Sequence, residues 1–576
     1  MAILLAWISW DARVEMHGLW PKLVARASGR AEGTSEVHAG TGYRALAIRT
    51  RAFAPAPLIV LRDGGAILRD GERFDGDADG LQAPMDSPAA VIEIDPIRCR
   101  VRLLRDRLGQ RPLCWARVPG GVLIASGEDI LRAHPDVDDA FDRNYLAAYF
   151  GASAPPAEAT VFRGIANVAP GQALTIDPFG EHRELLLSAP IADAFRWPDA
   201  IVAHQLASHL KAAVAFASRD SSRLGLSLSS GLDSGALAAY LTGTRGATPL
   251  AVSYGCQHPD GPDERELAAA LAEQCGLEFD TVSADAAGPL SVLQRTQICP
   301  DTPIANPYRA IKTLSYQRFA AAGVDVVLTG NFADHLNAEP SFWLGDALRH
   351  GRLAMVAASY WRVLVDRGWS GLWREPGWRA LAHARRAPVF ATAPWLRDAV
   401  AAESLARKRA AIELHANWPR AQQAAHALGS YAAFDAAGEC YFSQRHGIEV
   451  RHPFRHWALV QLALSLSGYQ SWRGNVSKFA MRLSLVGRLP EAWRTRGKSA
   501  DMQPLFERSI RAQHALLAAL IEQAQPIWSE YIEPRVAHTA LAAEKPTGNQ
   551  AVLLWLLAGF GQWLHAGESG MGRDSP

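Results

Sequence analysis

The chain has 576 residues, 49% of them hydrophobic and 20% charged, with a formal net charge of +1. That balance marks an ordinary globular protein and gives no basic excess of the kind a duplex-binding protein shows. At roughly 150 residues per domain it allows about two to four domains. Apolar runs such as 551–559 fall well short of the roughly 20 residues that a membrane helix needs, and MAILLAWISWDAR lacks the basic region that opens a secretory signal. The cysteines are Cys99, Cys114, Cys256, Cys275, Cys299 and Cys440, with no CxxC pair among them. Zinc and thioredoxin-like chemistry therefore find no support, and reduced thiols of this kind fit a cytoplasmic protein.

Residues 1 to about 190 read as mostly β. Short β-rich runs at 57–61, 90–94, 121–124 and 172–176 lie between Gly, Pro and Asp turns, and helical periodicity is scarce before 142–150. From about 198 the pattern changes. An amphipathic helix at 204–218 precedes strand-like 224–228, helical 235–242, strand-like 250–254, helical 264–275, helical 308–321 and strand-like 324–328. Strands alternating with helices predict a parallel sheet with helices on both faces. From 341 onward the chain is rich in Ala, Leu and Trp and reads as mainly helical. The expected fold is α/β in two domains, 1–190 and 198–576.

One segment carries chemistry on its own. LGLSLSSGLDS, 224–234, runs an apolar strand into Ser229-Ser230-Gly231-Leu232-Asp233-Ser234, and a helix follows directly. Small hydroxyls, a glycine and the free N–H groups of a helix start suit a pyrophosphate. Asp233 suits Mg²⁺ held against phosphate oxygens. A Ser/Gly turn with an Asp near a helix cap would look the same locally. The loop is not a Walker A sequence, since no Gly-Lys-Ser/Thr occurs there.

This loop resembles the SGGxDS loop of the PP-loop ATP pyrophosphatases, with Ser230 in place of the first glycine of the pair. Further motifs in order extend the resemblance to the asparagine-synthetase family over roughly 90–505. VSYG at 252–255 resembles the family's FSVGF-like segment, which implies that Leu228, Tyr254 and Gly330 frame an adenine. Asp263-Glu264 opens a helix as the family's DE pattern does. VVLTGNFADHL at 326–336 resembles VLSGEGADELF, which implies that Thr329 and Gly330 contact the nucleotide and that Asp334 joins Asp233 as a Mg²⁺ ligand. Here Asn331 replaces the family's Glu and His335 the Glu after the Asp. RHGIEVRHPF at 445–454 resembles GVEARVPFLD, with Arg455 in place of the last Asp. Asp435 holds the place of an acidic residue near the acceptor amine, with Glu439 as the alternative proton acceptor. VSKFAMRLSLVGRLP at 476–490 includes Lys478, which supports phosphate or loop order. Arg496-Gly497-Lys498 matches R-x-K, whose lysine is the family's catalytic cation.

The N-terminal region is similar to the family's glutamine amidotransferase (Ntn-type) domain through RDRLGQRPL at 105–113, ASGE at 125–128 and TVFRGIANVAPG at 160–171. That domain needs a nucleophilic cysteine directly after the initiating Met. Here Ala2 stands in that place and the first cysteine is Cys99. Without the thiol, glutamine hydrolysis of that kind has no nucleophile, and the amine must come with the substrate. Among relatives, lasso-peptide cyclases and β-lactam synthetases use such an amine. Asn331, the chain's length and SFWLGDALRHGRL at 341–353 tilt the resemblance to the cyclases. So do Trp343, Trp361, Trp369, Trp373, Trp378, Trp395 and Trp418, which either grip a peptide or fill a helical core.

The resemblance thus implies ATP- and Mg²⁺-dependent formation of a macrolactam. An Asp or Glu side chain of a precursor peptide is adenylated, and the peptide's own N-terminal amine attacks, with a leader-peptide protease as partner and no nucleic acid or membrane insertion. Small-molecule lactam formation and ammonia-dependent asparagine synthesis are the alternatives. A non-catalytic scaffold and a tRNA-thiolating enzyme are rivals from other classes. The first has no use for Asp233, Asp334 and Lys498 in this order, and the second lacks a basic face or paired cysteines.

Overall fold

The computed structural model describes residues 1–571 except 12–17, 52–55, 72–85, 187, 243–246, 257–262, 286–297, 304–305, 338–341, 376–391, 430–432, 434–435, 498–502 and 547. The N-terminal part is a pair of six-stranded antiparallel sheets. The first runs Ala166–Asn167, Cys114–Val118, Gly121–Ala125, Ala2–Ser9, Tyr43–Arg49, Thr34–Gly40. The second runs Gly180–Leu185, Gln172–Asp177, Arg100–Arg105, Ala89–Asp95, Ala66–Gly71, Leu58–Val60.

The sequence reading missed the strand Ala2–Ser9, and the reason is burial on both faces. Leu4, Ala6 and Ile8 enter the core between the two sheets. Ile3, Leu5 and Trp7 enter a second core on the other side. A strand covered on both faces reads as one apolar run without alternation. That second core holds Leu23 of the helix Trp20–Ser28, Tyr149 and Phe150 of the helix Arg143–Phe150, and Leu554, Leu557 and Phe560 of the helix Gly548–Met571. Tyr149 OH donates to the Leu556 carbonyl at 3.0 Å.

The second part is built on five parallel strands in the order Glu278–Ser283, Leu250–Gly255, Leu224–Ser227, Val326–Thr329, Glu449–Arg451. In chain order this is 3-2-1-4-5. The order reverses between Leu224–Ser227 and Val326–Thr329, and open α/β sheets open a crevice at the carboxyl ends of such a pair. The helices Asp199–Ala217, Leu232–Leu241, Arg265–Gln274 and Arg309–Ala321 accompany the sheet. The fold is thus α/β in two parts, an antiparallel β-rich part and a doubly wound parallel part with a helical extension. Buried ion pairs join them: Arg30 with Asp301 at 2.5 Å and Arg111 with Glu449 at 2.5 Å. Among the described residues no helix is long and apolar enough to cross a membrane.

Candidate active site

The loop after Leu224–Ser227 is shaped by its own hydroxyls. Ser229 N–H donates to Ser234 Oγ at 3.0 Å, and Gly231 N–H donates to Ser229 Oγ at 3.2 Å. Ser230 N–H donates to Glu264 Oε2 at 3.2 Å. Glu264, the cap residue of Arg265–Gln274, was read from the sequence only as a helix opener. Leu228 is buried and donates its N–H to the Val252 carbonyl at 3.0 Å, while Tyr254 sits half-buried on the neighbouring strand.

Leu232, Asp233 and Ser234 form the first turn of Leu232–Leu241, so their N–H groups have no partner in the preceding turn. Gly231 caps that helix with φ −75° and ψ 156°. Any residue adopts those angles. The need for glycine lies instead at Gly330. A Cβ on Gly330 would meet Ser234 N at 3.0 Å and Asp233 Cβ at 3.1 Å.

After Val326–Thr329 the chain turns through Phe332, a buried residue at φ 81°. This non-glycine left-handed turn starts the short helix Ala333–Leu336 and brings Asp334 toward Asp233. Lys478 joins the two. Its Nζ lies 2.5 Å from Asp233 Oδ2 and 2.7 Å from Asp334 Oδ1. Lys478 is itself left-handed, at φ 52° and ψ 40°, just before the helix Phe479–Ser484.

Burial pushes the Asp233 carboxyl up, only partly offset by Lys478, and Asp334 adds to the rise. Burial lowers Lys478, but the two carboxylates outweigh it and raise its pKa. Asp233 Oδ1 and Ser230 Oγ are buried without a hydrogen-bond partner among the described residues. Such atoms are costly unless a ligand meets them.

The donor set suits Mg²⁺. Two carboxylates already converge on one cation, and one of them keeps a bare buried oxygen. Among the described residues no group of three or more His, Cys, Asp or Glu side chains forms a complete metal cage.

Thr329 Oγ1 is 2.7 Å from His452 Nδ1, and His452 Nε2 is 2.6 Å from Glu439 Oε2. The sequence reading attached no role to His452. Lys498 and Asp435 lie outside the described residues. Beside Lys478 a cavity of about 840 Å³ is lined by Arg362, Arg367, Arg374, Arg482, Trp472 and Phe479, among others. Of the seven tryptophans, Trp343, Trp395 and Trp418 are buried in the protein. Trp361, Trp369 and Trp373 are 68%, 73% and 76% exposed on the helix Leu353–Arg374. Trp378 lies outside the described residues.

A doubly wound sheet whose switch point offers helix N–H groups, hydroxyls and a lysine-bridged aspartate pair forms a site suited to an anionic ligand. The asparagine synthase family model matches residues 205–565, more than half of the chain, and a glutamine amidotransferase domain model matches 90–184. The chain belongs to the asparagine synthase family. No curated protein matches it. Among solved structures it is similar to the glutamine phosphoribosylpyrophosphate amidotransferase of B. subtilis complexed with ADP and GMP. Identity there is 12%, with a TM-score of 0.21, over 49% of this chain and 65% of that one. A structure of the allosteric regulatory enzyme of purine biosynthesis is similar at 11% identity, with a TM-score of 0.22, over 49% of this chain and 80% of that one.

Proposed function

We propose that this protein closes a macrolactam in a lasso-type precursor peptide. A side-chain carboxylate of Asp or Glu attacks the α-phosphorus of ATP, and pyrophosphate leaves with the bonding electrons. The peptide's N-terminal amine then attacks the acyl carbon, AMP leaves, and an amide remains. The observation that carries the adenylation step is the lysine bridge between Asp233 and Asp334 at the switch point.

In this reading the loop 229–234 receives the pyrophosphate through helix N–H groups and hydroxyls. Leu228, Tyr254, Thr329 and Gly330 border the nucleoside. Asp233 and Asp334 would hold Mg²⁺, which supplies charge neutralisation for the phosphates. Lys478 keeps the two carboxylates together until nucleotide and metal enter. Lys498 stabilises charge on the reacting acyl phosphate, and a carboxylate, Asp435 or in its place Glu439, serves the amine's proton, both on the strength of their motifs.

The peptide assignment draws on several features. Ala2 stands where a glutaminase needs its thiol, which favours an amine that comes with the substrate. Asn331 departs from the residue of ammonia users. The arginine-lined cavity beside Lys478 is far larger than one amino acid needs, and exposed tryptophans stand on the helix that forms one of its walls. A protease that frees the core peptide is the matching partner.

The test incubates the protein with ATP, Mg²⁺ and leaderless peptides carrying an N-terminal amine and an internal Asp or Glu. The expected result is peptide-dependent release of pyrophosphate and AMP, with a product lighter by one water. Pyrophosphate release only with a free amino acid would replace the peptide reading by small-molecule lactam formation, or by asparagine synthesis if ammonia is also required.

A further inference from the structure

Behind the reacting centre runs an unbroken line of polar side chains. The strands Val326–Thr329 and Glu449–Arg451 pair in parallel with Leu328 opposite Arg451, so the register sets Thr329 beside His452 one step further on. The Thr329 hydroxyl and His452 Nδ1 are 2.7 Å apart. His452 Nε2 is 2.6 Å from Glu439 Oε2, on the helix Ala436–Gln444. Glu439 Oε1 accepts from Lys312 Nζ and from Tyr316 OH, each at 3.3 Å. Both the imidazole and the Glu439 carboxyl are buried.

The carboxylate at Nε2 fixes the tautomer. The proton sits on Nε2, and the Nδ1 lone pair accepts the Thr329 O–H. Thr329 Oγ1 in turn accepts the Asn331 N–H at 3.3 Å. A hydroxyl has one proton and two lone pairs, so one lone pair stays available at the carboxyl end of the strand.

We propose that Thr329, His452 and Glu439 form the proton-accepting chain for the amine that attacks the activated acyl group. Thr329 touches the amine, while His452 and Glu439 are positioning residues that act through it. The proposal rests on the adenylation reading above and deepens it. As the amine nitrogen bonds to the acyl carbon, the carbon–oxygen bond to AMP breaks and AMP takes its electron pair. The amine proton passes to Thr329 Oγ1 while the hydroxyl proton passes to His452 Nδ1. Glu439 holds the resulting imidazolium, which then releases its proton to water.

The surroundings suit the task. Burial lowers the basicity of His452, Glu439 opposes this, and Arg455 and Lys312 reinforce it, so the ring is neutral at neutral pH. Burial pushes Glu439 up, but Lys312, His452 and Arg309 together hold it well below the usual carboxylate range. The chain is therefore set as hydroxyl, neutral imidazole and carboxylate, the arrangement that activates an attacking group.

The test compares wild type with Thr329→Val, Thr329→Ser, His452→Gln and Glu439→Gln. Three readouts are taken with one peptide: pyrophosphate release, amide product, and hydroxamate formed when hydroxylamine traps the acyl-adenylate. The ratio of amide to pyrophosphate should fall about 10²-fold or more in Thr329→Val and His452→Gln. Thr329→Ser should restore the ratio, and hydroxamate should persist because hydroxylamine needs little help to attack. In wild type, amide formation should fail on the acid side of a pH limb that pyrophosphate release lacks, and His452→Gln should erase that limb. Amide and pyrophosphate falling together in His452→Gln would overturn the proposal, as would a normal ratio in Thr329→Val or failure of serine to restore it. If the wild type releases no pyrophosphate with any peptide, the adenylation reading itself falls. Failure of the relay alone leaves that release in place.

Discussion

Lys478 Nζ lies 2.5 Å from Asp233 Oδ2, although the two residues are 245 positions apart. The ammonium rests where a divalent cation would be expected. Lys478→Met should therefore leave two converging carboxylates with nothing between them. Its stability should drop by about 1–3 kcal/mol, less than for a fully buried pair because Asp334 is 81% exposed. Added Mg²⁺ should recover part of that loss in the variant and do little for nucleotide-free wild type. Urea melts with and without Mg²⁺ check this, and equal Mg²⁺ responses would count against it.

Asp233→Asn tests the same carboxylate from the other side. Burial raises the Asp233 pKa in the folded state, so its charge disfavours folding above the ordinary carboxylate range and the penalty fades as pH falls. The amide should leave stability unchanged or slightly higher at pH 7, while substrate-dependent pyrophosphate release falls by about 10²-fold or more. A stable variant with undiminished release would remove Asp233 from the chemistry.

Glu439 carries the opposite sign. Its folded pKa lies well below the usual range, so it contributes stability above the unfolded carboxylate value, and that contribution is lost as pH falls through the folded value. Glu439→Gln should be destabilised at pH 7, and its gap to wild type should narrow below about pH 4. Melting both proteins across that range reads the effect.

Gly330→Ala places a methyl group within 3.0 Å of Ser234 N. Backbone cannot yield as a side-chain tip does, so the loop must move. A cost of about 1–3 kcal/mol is expected, together with weaker ATP binding, measured by calorimetric titration.

The tryptophans separate by burial. Trp343 is fully buried and donates its Nε1–H to Glu375 at 2.8 Å, so Trp343→Ala should cost about 3–5 kcal/mol. Trp361→Ala, Trp369→Ala and Trp373→Ala should each stay within about 0.5 kcal/mol of wild type. If these rings meet the peptide, the same changes should weaken its binding about tenfold, which a fluorescence titration would detect.

Much of this was legible in local sequence. The apolar strand, the hydroxyl-rich turn and the following helix occupy adjacent positions, so LGLSLSSGLDS announces its own geometry. The parallel sheet was visible in the strand-like runs at 224, 250 and 324 for the same reason. The strand Glu278–Ser283 was not, because it is polar and has no buried residue at its edge position, and Glu449–Arg451 is only three residues long. Links set by tertiary register were also hidden. No spacing rule ties Thr329 to His452, or Lys478 to the aspartates, because pairing of distant strands and a left-handed backbone bring them together. The helix Leu232–Leu241 begins earlier than its apolar period suggested, since Asp233 and Ser234 serve in its first turn.

The helix Gly548–Met571 supplies Leu554, Leu557 and Phe560 to the same apolar core as Ile3, Leu5 and Trp7. Segments far apart in the chain thus complete one core, and contacts of such separation form slowly in folding. Until that helix docks, part of the apolar face stays open, and an unfinished surface of this kind is prone to aggregate. The protein's yield in a cell should accordingly depend on chaperones that shelter a half-finished surface.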